Sequence, residues 1–369
     1  VSKPLVIIGA SARSAAFSAL RAGYTPWCAD LFADADLTAC CRAVASGRYP
    51  EGLFELARGF PDAPWMYTGG LENYPDLVDG LAVMRPLLGN DGQRLRAVRD
   101  PFTLNEVLGS VNMLTPECRP SPEGLPRDGS WLVKRRDGSG GRHVRLWKRG
   151  SRYKPGDDRW YWQRRIEGAA ASAVFVVAQG RAVLLGVTRQ MLGGERGREP
   201  FRYVGSQGPI EVCPSVRKEL NRLGAFLAER FRLDGIIGAD FVLADDRVWT
   251  IEVNPRLPAS AELLDRTGGC SVVSLHVAAC TVGSLPASSP AVTAPECEKR
   301  ILFADRPMRI DAETSARLLA LAGDPIRPTI ADVPQPGTCI QTGQPVLTIF
   351  SDGGLHVLSE IDRLLALRK

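Results

Sequence analysis

Leu5-Val-Ile-Ile8 is a strand-like apolar run closed by Gly9, Ser14 to Ala22 is helix-compatible, and Gly23 to Asp30 returns to strand character. This order of strand, turn, helix and strand predicts an open parallel sheet at the start of the chain. Proline and glycine then punctuate Tyr49 to Gly92 around the helix-compatible stretch Tyr74 to Leu88, which places a first domain boundary near residue 95. A helical stretch from Asp100 to Leu114 precedes the turn-rich segment 115–129, where Pro116, Pro120, Pro122 and Pro126 exclude regular structure. From Trp131 to Val187 the pattern is β-rich. Trp131 to Arg135 and His143 to Trp147 flank a glycine-tipped hairpin, and Tyr161 to Gly168 leads into Ser172 to Ala178 and Ala182 to Val187. Between Ser215 and Phe231, Val216, Leu220, Leu223, Phe226, Leu227 and Phe231 recur at helical spacing and predict an amphipathic helix. After residue 290 an Ala, Ser and Pro-rich linker leads to short strands within 332–350 and a closing helix from Ser359 to Arg368.

A chain of 369 residues has room for two or three domains, and 44% hydrophobic with 24% charged residues is an ordinary globular composition. No apolar run approaches the roughly 18 residues of a membrane span. The first residues show no signal-peptide pattern, so a cytoplasmic protein is expected. Nine cysteines without C-x-x-C spacing predict buried reduced thiols, and three histidines argue against a histidine-rich metal site. The net charge of +5 suits anionic ligands without demanding nucleic acid. In the first turn, Ser11 and Ser14 stand where a dinucleotide fingerprint would carry its second and third glycines, which argues for a structural domain.

The chemistry concentrates in Gly238-Ala-Asp-Phe-Val-Leu-Ala-Asp-Asp-Arg-Val-Trp-Thr-Ile-Glu-Val-Asn-Pro-Arg256. With Asp245, Asp246 and Arg247 as a hairpin loop, Phe241 faces Ile251, Leu243 faces Trp249, and Asp240 lies opposite Glu252 with Asn254 two residues further on. Three oxygen donors on one face suit Mg²⁺ or Mn²⁺; the alternative is a solvated polar face. Lys134 ends a strand just before Gly138-Ser139-Gly140-Gly141, where loop amides and an ammonium could meet phosphates. The spacing is not that of a Walker A loop.

The order of these elements over roughly residues 1–290 resembles the ATP-grasp superfamily, in particular its carboxylate-amine ligase branch. The resemblance implies an α/β fold: an N-terminal open parallel-sheet domain (1–95), an ATP-grasp domain (96–290) with an α+β lid near 128–175 and a metal-binding sheet, and a small β-rich C-terminal element (291–369). It implies ATP and Mg²⁺ (or Mn²⁺) as cofactors, with Asp240, Glu252 and Asn254 as metal ligands and Glu252 bridging two ions. Lys134 would contact the α and β phosphates, and Gly138, Ser139, Gly140 and Gly141 would cover the triphosphate. Gln163, Arg164, Ile166 and Glu167 would meet adenine, and Arg256 the γ-phosphate or acyl phosphate, with Arg189 a second candidate for that role. Two departures stand out. The family's earlier lysine is missing, since no lysine occurs from residue 4 to 133, leaving Arg96 or Arg99 to replace it; and Ala169, Ala170 and Ala171 occupy the place of the ribose-binding acid.

The implied activity is amide formation between a small-molecule carboxylate and an amine through an acyl phosphate, with release of ADP and phosphate. An extension is the addition of an amino acid such as glutamate to a methanofuran- or methanopterin-type precursor, with Arg202, Tyr203, Ser206 and Gln207 touching the acceptor. A carboxyphosphate-forming carboxylase is the nearest alternative, although the biotinyl-like stretch 336–345 lacks a carrier lysine. A further reading is single-stranded nucleic-acid binding by the nine Lys/Arg of 134–154 with Trp147 and Tyr153. It is disfavoured because Asp240 and Glu252 would repel a polyanion. His143 reads as a solvated loop residue and His276 as core; a homo-oligomer is compatible with the chain.

Overall fold

A computed structural model describes residues 3–151, 156–193, 199–291, 296–351, 360–361 and 363–365. The chain begins with a parallel four-stranded sheet in the order Arg42–Ala45, Tyr24–Asp30, Lys3–Ile8, Trp65–Tyr67. Leu5 and Ile7 pack on one side with Phe17 of helix Arg13–Arg21, and Val6 and Ile8 pack on the other with Leu53, Trp65 and Leu81. Apolar cover on both faces explains why this strand is a continuous hydrophobic run.

The largest sheet has eight antiparallel strands, in the order Arg247–Asn254, Gly235–Ala244, Ala169–Ala178, Arg181–Leu192, Tyr203–Gly208, Cys297–Phe303, Pro345–Phe350, Ile330–Ala331. Three of the strands after residue 290 therefore continue this sheet, while Met308–Arg309 and Cys339–Ile340 pair with each other in a two-stranded sheet of their own. Of the closing helix expected over Ser359 to Arg368, residues 360–361 and 363–365 are helical and the rest lies outside the described residues. Helix Pro214–Phe231 covers one face of the large sheet, setting Val216, Leu220, Leu223, Leu227 and Phe231 against Phe175, Leu184 and Phe241. Helix Val272–Val282 covers the other and meets helix Arg13–Arg21, so one core joins the sheet to the N-terminal unit. A smaller four-stranded sheet, Cys118–Arg119, Trp160–Arg164, Asp128–Arg135, Arg145–Lys148, closes on Trp131, Val133, Trp147 and Trp162.

The hairpin register differs from expectation. The turn holds only Asp245 and Asp246, with φ of 50° and 53°, the conformation of a two-residue type I′ turn. Phe241 therefore faces Thr250 and Leu243 faces Val248, not Ile251 and Trp249. A bulge at Ile251 restores the register, so that Asp240 still lies opposite Glu252. Phe241 is 1% exposed, and Phe241→Ala is expected to cost about 3–5 kcal/mol, read as a lower denaturant midpoint at unchanged slope.

His276 is core. Its Nδ1 accepts from the Ile236 amide at 2.9 Å and its Nε2 lies 3.1 Å from the Leu88 carbonyl, so the neutral ring fits with Nε2–H donating. Burial lowers its pKa to about 4. Since the unfolded ring binds its proton near pH 6.5, the unfolded state holds more protons between these values. Stability is expected to fall by roughly 3 kcal/mol as pH drops from 6.5 to 4, measured by urea unfolding across that window. All nine cysteines are free; Cys28 and Cys297 are buried as expected, whereas Cys213 and Cys339 are exposed. Among the described residues no helix is long and apolar enough to cross a membrane.

Candidate functional site

The small sheet, the large sheet and the N-terminal unit enclose a cleft of about 860 Å³. Lys134 enters it from strand Asp128–Arg135, opposite Tyr161. Its Nζ donates to Gln163 Oε1 at 3.2 Å and lies 5.8 Å from the Tyr161 ring centre. Burial disfavours the charge, but Tyr161 and Glu252 outweigh it and the pKa is raised. No carboxylate reaches salt-bridge distance among the described residues, so this buried ammonium lacks an anionic partner, a costly state that a phosphate would relieve.

The glycine loop docks on the large sheet, with the Tyr203 amide donating to Gly140 O at 2.9 Å. A Cβ on Gly141, whose φ is +71°, would come within 1.8 Å of Phe201 O, so this approach requires glycine. Gly138, Ser139, Gly140 and Gly141 line the cleft, as do Gln163, Arg164, Ile166 and Glu167. His143 lines it too, with its pKa lowered by burial and then by Arg135. Ile251, expected opposite Phe241, is turned by the bulge and lines the cleft.

Asp240 Oδ1 accepts from Gln190 Nε2 at 2.8 Å, and Oδ2 from Asn254 Nδ2 at 3.0 Å. Asn254 Nδ2 also lies 3.5 Å from Glu252 Oε1. Burial, and then the Glu252 charge, push Asp240 up to about 7. The pair is therefore short of positive charge. Two carboxylates are too few to enclose a cation, the Asn254 amide turns its Nδ2 and not its oxygen toward them, and among the described residues no group of three His, Cys, Asp or Glu side chains is placed to hold a metal ion. The donor set fits a hard ion that keeps waters and shares substrate phosphates, as Mg²⁺ does.

Asn254 Oδ1 faces away from the acids, 3.1 Å from Arg256 Nη2 and 3.5 Å from Arg99 Nη1. Arg256 also donates to Glu72 Oε1 through Nε at 3.1 Å and Nη2 at 2.7 Å. Burial would raise the Glu72 pKa, but Arg256 and then Arg99 reverse this and hold it below the usual range. Of the two arginines expected to replace a lysine, Arg99 lines the cleft, while Arg96 pairs with Asp76 and Asp79 outside it.

Three expectations are corrected. Arg189 is exposed and lies outside the cleft, where its neighbour Gln190 takes the inward place. Arg202 is a brace, 3.6 Å from the Phe303 ring centre and bonded to Glu199 and Gly343. Ser206 and Gln207 are not lining residues, and only Tyr203 of that group is. Trp147 is buried edge-on to Trp162 and offers no face for base stacking; Tyr153 lies outside the described residues.

The far end of the cleft escaped sequence reasoning. Ser11, Arg13, Asp34, Lys299, Asp332 and Thr348 line it. Arg13 pairs with Glu262 and with Asp332, the latter at 2.8 Å, while Lys299 meets Glu262 at 2.6 Å. Thr348 donates to Asp332 at 2.5 Å.

Residues 98–260 match the family model of an ATP-grasp domain. Among solved structures, the chain is similar to N5-carboxyaminoimidazole ribonucleotide synthetase from Thermus thermophilus at 16% identity, covering 98% of this chain and 97% of that one with a TM-score of 0.67. Carboxyaminoimidazole ribonucleotide synthase from Aspergillus clavatus, complexed with ATP, matches at 13% identity over 98% and 99% of the two chains with a TM-score of 0.69. The biotin carboxylase domain of 2-oxoglutarate carboxylase from Hydrogenobacter thermophilus, with MgADP, ADP and bicarbonate, matches at 13% identity over 94% and 85%, with a TM-score of 0.66.

Proposed function

We propose, for a chain that belongs to the ATP-grasp superfamily, that it joins a small-molecule carboxylate to an amine at the expense of ATP. The observation that carries this reading is the pairing, in one cleft, of an unneutralised buried ammonium, Lys134, with the cation-deficient pair Asp240 and Glu252. Phosphates carry the charge the lysine lacks, and a divalent ion carries the charge the acids lack.

In this reading a substrate carboxylate oxygen attacks the γ-phosphorus and the bond to ADP breaks. The neutral amine nitrogen then attacks the acyl carbon of the resulting acyl phosphate, the carbon–oxygen bond to phosphate breaks, and phosphate leaves as hydrogen phosphate with the proton the nitrogen sheds. Asp240 and Glu252 would hold Mg²⁺, which when bound neutralises phosphate charge, and Asn254 would join them only through Oδ1, with its amide turned over from the orientation that now points Nδ2 at the acids. Lys134 holds the phosphate chain, and the Gly138 to Gly141 loop shields it from water. Gln163, Arg164, Ile166 and Glu167 form the wall for the base. Arg256, kept in place by Glu72, and Arg99 supply positive charge beside Asn254. Arg256 is therefore preorganised rather than free to swing.

The test is ADP and phosphate release with Mg·ATP across a panel of carboxylates and amines, glutamate included, with and without bicarbonate. Release that requires a carboxylate and an amine together supports the ligase. Release driven by bicarbonate alone would replace it with a carboxyphosphate-forming carboxylase, the chemistry that the similarity to biotin carboxylase favours. Failure to bind Mg·ATP would overturn both.

A further inference from the structure

The far end of the cleft has an electrostatic character of its own. Asp34 stands at the N-terminus of helix Ala35–Cys40, where an aspartate ordinarily caps the first amides with its side chain. Here it makes no such bond. Its carboxyl accepts no hydrogen bond and meets no cation at salt-bridge distance among the described residues, although the residue is only 6% exposed and lines the cleft. The acids around it are all engaged. Asp30 accepts from the amides of Ala12, Phe32 and Ala33. Asp36 accepts from those of Asp332 and Val333. Asp332 is held by Arg13 and Thr348. The two cations nearby, Arg13 and Lys299, are both committed to Glu262. Burial, and then Asp332, Asp36 and Asp30, raise the Asp34 pKa well above the carboxylate range. A lone acid in such company is destabilising unless a cation arrives to share it. A phosphorylated substrate at this end would meet repulsion.

We propose that Asp34 is the recognition point for a cationic group, an ammonium, on one of the two substrates, and that this end of the cleft selects amines against phosphorylated acceptors. Phe32, half exposed beside it in the same wall, offers apolar cover for the carbon chain that bears the charge. The proposal rests on the ligase reading above and names the class of one of its substrates.

Calorimetric titration of the full chain with 1,4-diaminobutane, with inorganic phosphate, and separately with Mg·ATP tests it without requiring turnover. Saturable diamine binding is expected, with phosphate excluded from this end. It should weaken at least tenfold in both Asp34→Asn and Asp34→Ser, while Mg·ATP binds these variants as it binds the native chain. Asparagine keeps the size of the side chain and serine leaves a smaller polar group, and either residue suits a helix N-terminus, so one variant remains usable if the other fails to fold. Diamine binding that is absent, or unchanged in both variants, overturns the proposal, as does phosphate binding that depends on Asp34. Loss of Mg·ATP binding by the native chain would instead remove the ligase reading, and the diamine titration would still decide whether Asp34 binds a cation.

Discussion

Glu252→Ala is expected to lower ATP turnover by about a thousandfold while leaving the fold intact. The side chain is half-buried on the cleft face of strand Arg247–Asn254 and contributes to no hydrophobic core, so its removal opens no apolar cavity. What it does remove is one of two carboxylates facing the place of the ion. Losing charge stabilisation of this kind costs roughly 10²–10³ in rate for a single donor, and an acid that holds Mg²⁺, the role proposed for Glu252, would stand at the upper end. It also removes the repulsion that pushes Asp240 upward. The apo variant should therefore be no less stable than the native chain. Steady-state ADP release and thermal unfolding of the same preparation check the two halves together. Full activity in Glu252→Ala would exclude this carboxylate from catalysis.

Glu262→Ala should have the opposite profile, with a loss of about 3–5 kcal/mol in stability. Glu262 is buried in helix Ala261–Thr267 and accepts from both Arg13 and Lys299, three elements from distant parts of the chain. Burial opposes its ionisation, yet Arg13 and Lys299 hold its pKa well below the usual range. Without it Lys299 keeps only a long contact to the Ala259 carbonyl at 3.5 Å, and Arg13 is left to Asp332 and Asp36. Breaking one partner of a buried network strands the rest as unpaired charge, which is why the cost exceeds that of any surface pair. Urea unfolding at neutral pH is the measurement. A change within about 0.5 kcal/mol would mean that the cluster is hydrated.

The parts of this protein legible in its sequence are those that local periodicity carries. Helix Pro214–Phe231 follows from its apolar spacing, and Asp240 opposite Glu252 from a turn flanked by β-formers. What escaped reading depends on parity or on distance. A bulge between Leu184 and Gly186 shifts the inward face of strand Arg181–Leu192 by one position, which is enough to put Gln190 and not Arg189 in the cleft. The same effect placed Ile251 there. Helix Gly92–Arg99 shows only Leu95 and Val98 as buried apolar side chains among its arginines, too thin a stripe to see; its visible signal was Asp91, which caps the Arg94 amide. The far end of the cleft joins residues near 13 and 34 to others near 262, 299 and 332, and no window of sequence contains both sides of those pairs.

The continuation of the large sheet by strands after residue 290 decides how one of its two edges meets solvent. If Cys297–Phe303 were cut away, Tyr203–Gly208 would present an unpaired row of amides and carbonyls, a template for edge-to-edge growth. Instead the sheet runs on through Pro345–Phe350 and stops at Ile330–Ala331, a strand of two residues. So short an edge gives a stray chain little to pair with. A fragment ending near residue 290 would keep every expected nucleotide contact and still tend to precipitate.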